Sequence, residues 1–210
     1  QLSDDGLTLY RGSEVKYKVT ATRIGGCDGA IELNFGGLPA GVTVADATIA
    51  ANKSETQLTF KADETAKIKT HRLLVTGTCK IDDKEIQRQA STTEAPTLDH
   101  LFLAVSMPTP FKVIGAFETN YVARGATYFR HYTLDRGGFD GPLTICLADR
   151  QIRHLQGVTG PEIVVPPGKT EFDYNIKLPS WMQPARTARI VVMAVGVVPD
   201  ADGTKHKVSH

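Results

Sequence analysis

The chain is poor in the features that usually identify a chemistry. Three cysteines and one tryptophan occur in 210 residues. No Cys-x-x-Cys is present, and no cysteine stands at finger spacing from a histidine, which removes the common structural zinc sites. No apolar run approaches the roughly 18 residues of a membrane-spanning helix; the longest, around Ile190–Val198, has the length of a strand. Charge of one sign is also missing, with 24 Lys+Arg against 23 Asp+Glu. Without a long-range field, neither a nucleic-acid partner nor membrane insertion is expected. Gly-x-Ser-x-Gly is absent, no glycine loop leads into Gly-Lys-Ser/Thr, and the histidines are scattered one to an element. The opening stretch Gln1–Tyr10 has no basic region followed by an apolar segment, so no signal peptide is expected within it.

What the chain does contain is alternation. Ile31, Leu33 and Phe35 are separated by Glu32 and Asn34, and the same period of two runs through Val15–Ala21, Gln57–Ala62 and Leu73–Thr78. Successive side chains of a strand point to opposite faces, so this pattern predicts half-buried strands. Turn clusters separate them at Arg11-Gly12, Gly25-Gly26, Gly36–Gly41 and Asn52–Ser54. Many short strands at this spacing make an all-β sandwich.

The pattern also repeats. Gly25–Leu33 reads GGCDGAIEL and Gly137–Ile145 reads GGFDGPLTI; further on, Ala50–Ser54 falls opposite Pro166–Thr170, and Arg72–Val75 opposite Arg189–Val192. The offset drifts only from about 112 to 117 positions, as insertions in loops would produce. Two tandem domains related by internal duplication are therefore expected, over 1–93 and 97–210. The polar stretch Ser91–Thr97 reads as their linker. Leu101–Val105, followed by a turn at Met107–Pro110 and an edge segment Phe111–Ile114, reads as extra N-terminal strand material of the second domain. The repeated Gly-Gly-x-Asp-Gly is read as a turn, its glycines supplying positive φ and Asp28 or Asp140 accepting from nearby amides.

The succession Ile31–Leu33, Gly37–Thr43 (GLPAGVT), Ile49–Ala51 and Leu74–Thr78 (LVTGT) resembles the immunoglobulin-like modules strung along large secreted and cell-surface proteins of bacteria, including those appended to subtilisin-type proteases. The likeness covers the first half nearly end to end. In the second, Leu155–Thr159 and Val192–Val195 depart from the pattern. The resemblance implies two immunoglobulin-like β-sandwiches, an extracellular, cell-surface or periplasmic setting, and a module that supports, spaces or binds a protein or surface polymer. It brings no catalytic residue, cofactor or metal ligand.

In the fold so implied, Cys27 lies in the turn before the third strand and Cys79 near the end of a neighbouring strand. A Cys27–Cys79 disulfide is then expected, against the alternative of three reduced thiols, and Cys146 is expected as a small core residue. Asp200–Gly203 is the nearest approach to a calcium ladder and reads instead as a hairpin turn. The candidate contact residues are Trp181 and Met182, in the loop Leu178–Pro184, and Phe129 and His131, which share one face of the strand Tyr128–Tyr132. Trp181 and the aromatic strand are the only support for the alternative function, a carbohydrate-binding accessory module of a secreted hydrolase or protease.

Overall fold

Alternation in the sequence becomes alternation in burial. In the computed structural model, residues 1–82, 84–92, 98–116, 118–148, 157–185 and 190–210 are described, and strand is the only extended regular structure among them. Two compact units result, Gln1–Pro108 and Thr109–His210.

The first unit contains β1 (Gly6–Tyr10), β2 (Glu14–Thr20), β3 (Ile31–Gly36), β4 (Val42–Ala45), β5 (Thr48–Ile49), β6 (Glu55–Ala62), β7 (Lys69–Ile81), β8 (Lys84–Gln89) and β9 (Leu101–Ser106). One sheet runs β2-β6-β4; the other runs β1-β9-β7-β3-β5, with β8 also on β7. That division places the second, fourth and fifth strands of an immunoglobulin-type sandwich on one side, and the third, sixth and last strands on the other. Leu2 bridges to Val19 of the first sheet, and β1 then pairs in parallel with β9 of the second, so the opening strand crosses between sheets. Between the sheets Phe60 is fully buried, with Tyr17 and Phe35 edge-on to it at centroid distances of 6.3 and 5.6 Å. Each such pair contributes about 0.5–1.5 kcal/mol beyond the buried area.

The final strand of this unit is where the expected boundary changes. β8 pairs with the C-terminal half of β7, from Ile81 back to Thr76, and β9 pairs with its N-terminal half, from Leu73 back to Lys69. Ala90 donates to the Val75 carbonyl just before the chain leaves the sheet. The segment read as a linker is therefore an excursion from one long edge. Leu2 N–H donates to Ser91 O and Thr92 N–H to Leu98 O at its base; residues 93–97 are outside the described set. Leu101–Val105, expected to open the second sandwich, completes the first instead. Leu101, Leu103 and Val105 are buried in that core, whose open sheet edge the alternating apolar run satisfies.

The second unit has β10 (Lys112–Ile114), β11 (Thr127–Asp135), β12 (Leu143–Leu147), β13 (Ile163–Val165), β14 (Glu171–Lys177), β15 (Val192–Pro199) and β16 (Lys205–Ser209). Its sheets are β10-β11-β14 and β13-β12-β15-β16. Phe111, Leu143, Ile145, Tyr174 and Ile176 are fully buried. The Tyr174 hydroxyl donates to Pro161 O at 2.7 Å, and burial raises its pKa. Asp200–Gly203 forms the β15–β16 hairpin, with Gly203 N–H donating to Asp200 O. Cys146 sits half-buried on the face of β12 opposite Leu143 and Ile145, so it is not the core residue expected. The resemblance-bearing Leu155 and Gln156 and the repeat residue Arg189 lie outside the described residues.

The repeated turn is held by an arginine in each unit. Arg23 donates from Nε to Lys53 O, from Nη1 to Cys27 O and Gly29 O, and from Nη2 to Ala50 O, at 2.6 to 2.7 Å. Arg136 makes the same set: Nε to Lys169 O at 2.8 Å, Nη1 to Gly141 O at 2.7 Å and Phe139 O at 3.4 Å, and Nη2 to Pro166 O at 2.6 Å. In each unit the guanidinium fork donates to four carbonyls around the turn, of which Ala50 O and Pro166 O also accept an amide, from Lys53 and Lys169. Gly25 and Gly26 have φ of 69° and 85°, and Gly137 and Gly138 of 50° and 84°, a region closed to most side chains. The expectation that Asp28 and Asp140 cap the turn is corrected here: the carbonyls at 27, 29, 139 and 141 do the binding, and both carboxylates face solvent.

Candidate functional site

Three places hold the residues singled out from the sequence, and they are separate. The first is the disulfide end of unit one. Cys27, in the loop before β3, and Cys79, on β7, are joined, with Cα atoms 6.3 Å apart. The bond closes a span of 52 positions and ties the repeated turn to the strand beside β3.

The second is the outward face of the sheet β10-β11-β14. Phe129 pairs across from Asn175 and His131 from Asp173, while Phe172, Tyr174 and Ile176 point inward. Phe129 is 64% exposed and Ile114, opposite Thr133 on the edge strand, 52%. Sequence reading missed Ile114, although its alternation with buried Phe111 and half-buried Val113 marks it as outward-facing. His131 Nδ1 lies 2.9 Å from Asp173 Oδ1 and its Nε2 lies 3.8 Å from Glu171 Oε2. All three side chains are more than half exposed; in water such a cluster contributes at most about 1 kcal/mol. The face offers an aromatic, an aliphatic and a charged triplet on a flat support.

Trp181 and Met182 form the third place, in the turn after β14, where Met182 N–H donates to Pro179 O. Trp181 is 65% exposed. Its ring lies over Gly157, where any β-carbon would come within 2.5 Å of Cζ2, and beside Pro179. Gly157, at φ 80°, is what permits the indole to lie down there. Phe129 and His131 thus share a face, and Trp181 and Met182 share a turn, but the structure places the two pairs on different elements.

Remaining titratable groups sit in local pairs. The Asp99 carboxylate accepts from Arg72, His100 and Gln89 at 3.0 to 3.2 Å, and His100 first, then Arg72, lower its pKa. Asp202 accepts from the Thr204 amide, which lowers its pKa likewise. Among the described residues no three His, Cys, Asp or Glu side chains gather as a cation site, and no helix is long and apolar enough to cross a membrane.

No known protein family matches the sequence, and no curated protein does. Several solved structures are similar in fold. The D0-D1 domain of intimin is 10% identical, with 92% of this chain and 87% of that one covered and a TM-score of 0.30. A chimeric titin Z1Z2 functionalized with a KLER exogenous peptide from decorin is 11% identical, covering 99% and 89%, at 0.29. A protein of unknown function from Porphyromonas gingivalis W83 is 10% identical, covering 100% and 96%, at 0.31. Likeness at that level carries no functional inference. The immunoglobulin-like character stands on the strand order and pairing described above.

Proposed function

We propose that the chain is a non-catalytic, extracytoplasmic interaction module, structural or adhesive, of the kind found as duplicated immunoglobulin-like repeats in bacterial secreted and surface proteins. The observation that carries this is the Phe129 face. A Phe and an Ile, each more than half exposed, stand on the outer side of a rigid sheet beside His131, Asp173 and Glu171. Exposed aromatics ringed by polar groups are the usual composition of a contact surface. The Cys27–Cys79 bond supports an oxidising compartment, and the matching Arg23 and Arg136 clamps support duplication.

The test compares the wild-type chain with Phe129→Asp for retention on immobilised cell-surface fractions, with melting temperature as a control. Loss of retention at unchanged melting supports the reading. Equal retention of both proteins sinks it.

One observation favours a second reading, a carbohydrate-binding accessory module. Trp181 presents an indole that is 65% exposed beside Gly157, an aromatic surface on which a sugar ring can stack. Polysaccharide pull-down with Trp181→Ala decides it, since a stacking platform loses binding and a bystander does not.

A further inference from the structure

Two sheet edges of the second unit are bare, and they carry opposite charge. The first belongs to β14. Lys177 exchanges both backbone hydrogen bonds with Thr159, at 2.8 and 3.0 Å, so its N–H and C=O point away from β11. Backbone groups alternate in direction along a strand, which turns those of Asn175, Asp173 and Glu171 to the same outer side. They meet no backbone partner among the described residues. In the first unit the matching edge of β6 is covered, because β4 pairs Thr43 with Lys61 and Ala45 with Thr59. Register carries Thr43 onto Thr159, but there the likeness stops. A β-carbon on Gly160 would come within 2.5 Å of the Tyr174 hydroxyl, and that hydroxyl donates to Pro161 O at 2.7 Å. The chain therefore turns over the Tyr174 side chain, and Pro161 has no N–H to give to a ladder. On the outer face Glu171 and Asp173 stand exposed, and their ionic neighbour is His131 rather than a lysine or arginine.

The second bare edge belongs to β16. His210 exchanges both backbone bonds with Ala194, at 2.9 and 3.0 Å, so alternation turns the groups of Lys205, Lys207 and Ser209 away from β15. Ser209 O accepts from Thr109 Oγ1 at 3.1 Å. The backbone groups of Lys205 and Lys207 meet no such partner among the described residues. Both lysines are exposed on the outer face, across from Pro199 and Val197, with no carboxylate paired to them among the described residues.

We infer that the β14 edge of one copy docks the β16 edge of a second copy, as an antiparallel strand pair with Asp173 opposite Lys205 and Glu171 opposite Lys207. Both edges space their charges two residues apart, so in this register each facing pair exchanges main-chain bonds and sets opposite charges on one face. Ser209 falls beyond Glu171, and its bond from Thr109 is kept. Two β14 edges meeting would set carboxylate against carboxylate, and two β16 edges ammonium against ammonium. Each edge thus refuses its own kind and accepts the other. Every copy keeps one edge of each sign, so the assembly is head-to-tail and open-ended.

The experiment is sedimentation equilibrium of the 210-residue chain from micromolar to millimolar concentration, with amide spectra of the isotopically labelled chain over the same range. A reversible rise in mass is expected, weaker at high salt, with shifts at residues 171–175 and 205–207. Glu171→Lys with Asp173→Lys, or Lys205→Glu with Lys207→Glu, lowers the association constant by at least about tenfold. All four changes in one chain restore it, and mixing the two double variants restores association that neither shows alone. Asp173→Pro removes an edge N–H outside the β11 ladder and abolishes association. Since proline can perturb folding, the charge reversals at unchanged melting temperature are the independent check. A chain that stays monomeric at millimolar concentration overturns the inference. So does a double variant that associates like the wild type, a fourfold variant that stays monomeric, or a mass rise that leaves both edges unshifted. Self-association is read without any cell-surface fraction, and Phe129 lies one strand in from the edge, so this test and the Phe129→Asp test can each fail alone.

Discussion

The two units solve one packing problem in two ways. Both carry the arginine clamp and the paired positive-φ glycines, yet the space beside the clamp is closed differently. In the first unit a disulfide crosses from turn to strand. The second unit has Phe139 at the position of Cys27 and Gly196 at that of Cys79, and Phe111 from the preceding edge strand packs against both. A covalent bond holds two elements together without filling volume, whereas an aromatic ring fills volume and needs a strand to deliver it.

The largest expected effects test that equivalence directly. Phe111→Ala removes a fully buried ring and is expected to destabilise the second unit by about 4 kcal/mol. Reducing Cys27–Cys79, or replacing both cysteines by alanine, is expected to lower the first unit by a similar amount, about 4 kcal/mol from loop entropy. Residue-resolved amide exchange assigns each loss to its unit. If either change moves both units equally, the comparison fails.

Next comes the clamp. Arg136 is only 9% exposed, and Arg136→Ala removes four bonds, after which Pro166 O keeps only the Lys169 amide, an expected cost of about 3 kcal/mol. Arg23 is more exposed, water replaces part of its work, and Arg23→Ala is expected to cost about 1–2 kcal/mol. Denaturant titration of both variants checks the order, and a larger loss for Arg23 breaks it.

The smallest effect is expected just before β9. Asp99 there holds Gln89, Arg72 and His100, and its carboxyl pKa is lowered in the folded state. A lowered carboxyl pKa gives stability that is present above the unfolded value of about 3.9 and lost as pH falls through the folded value. Faster amide exchange at Gln89 and Thr92 below about pH 4, absent in Asp99→Asn, is the expected signature.

Much of the architecture was legible in the chain because strand alternation and turn glycines are local signals. Leu33 and Leu58 alternate with polar neighbours and are buried, and the two Gly-Gly-x-Asp-Gly turns fall at equivalent places. The arginine before each turn was equally visible, in RIGGCDG and RGGFDG, but nothing local says that its partners are carbonyls some 30 positions downstream. Leu101–Val105 was readable as a strand but not as the last strand of the first unit, since pairing is a choice among distant edges. Of the contact residues, periodicity put Phe129 and His131 on one face, and only the fold decided that the face is solvent-exposed.

By itself, then, the sequence determined the all-β class and the places of the turn glycines, because each depends on residues a few positions apart. Tertiary structure alone decided where the first unit ends, that Trp181 lies exposed beside Gly157, and that one sandwich end is tied by a disulfide while its counterpart is filled by an aromatic ring. Those outcomes depend on which surfaces meet across 50 to 100 positions of chain, and burial energy rewards any apolar partner that reaches them.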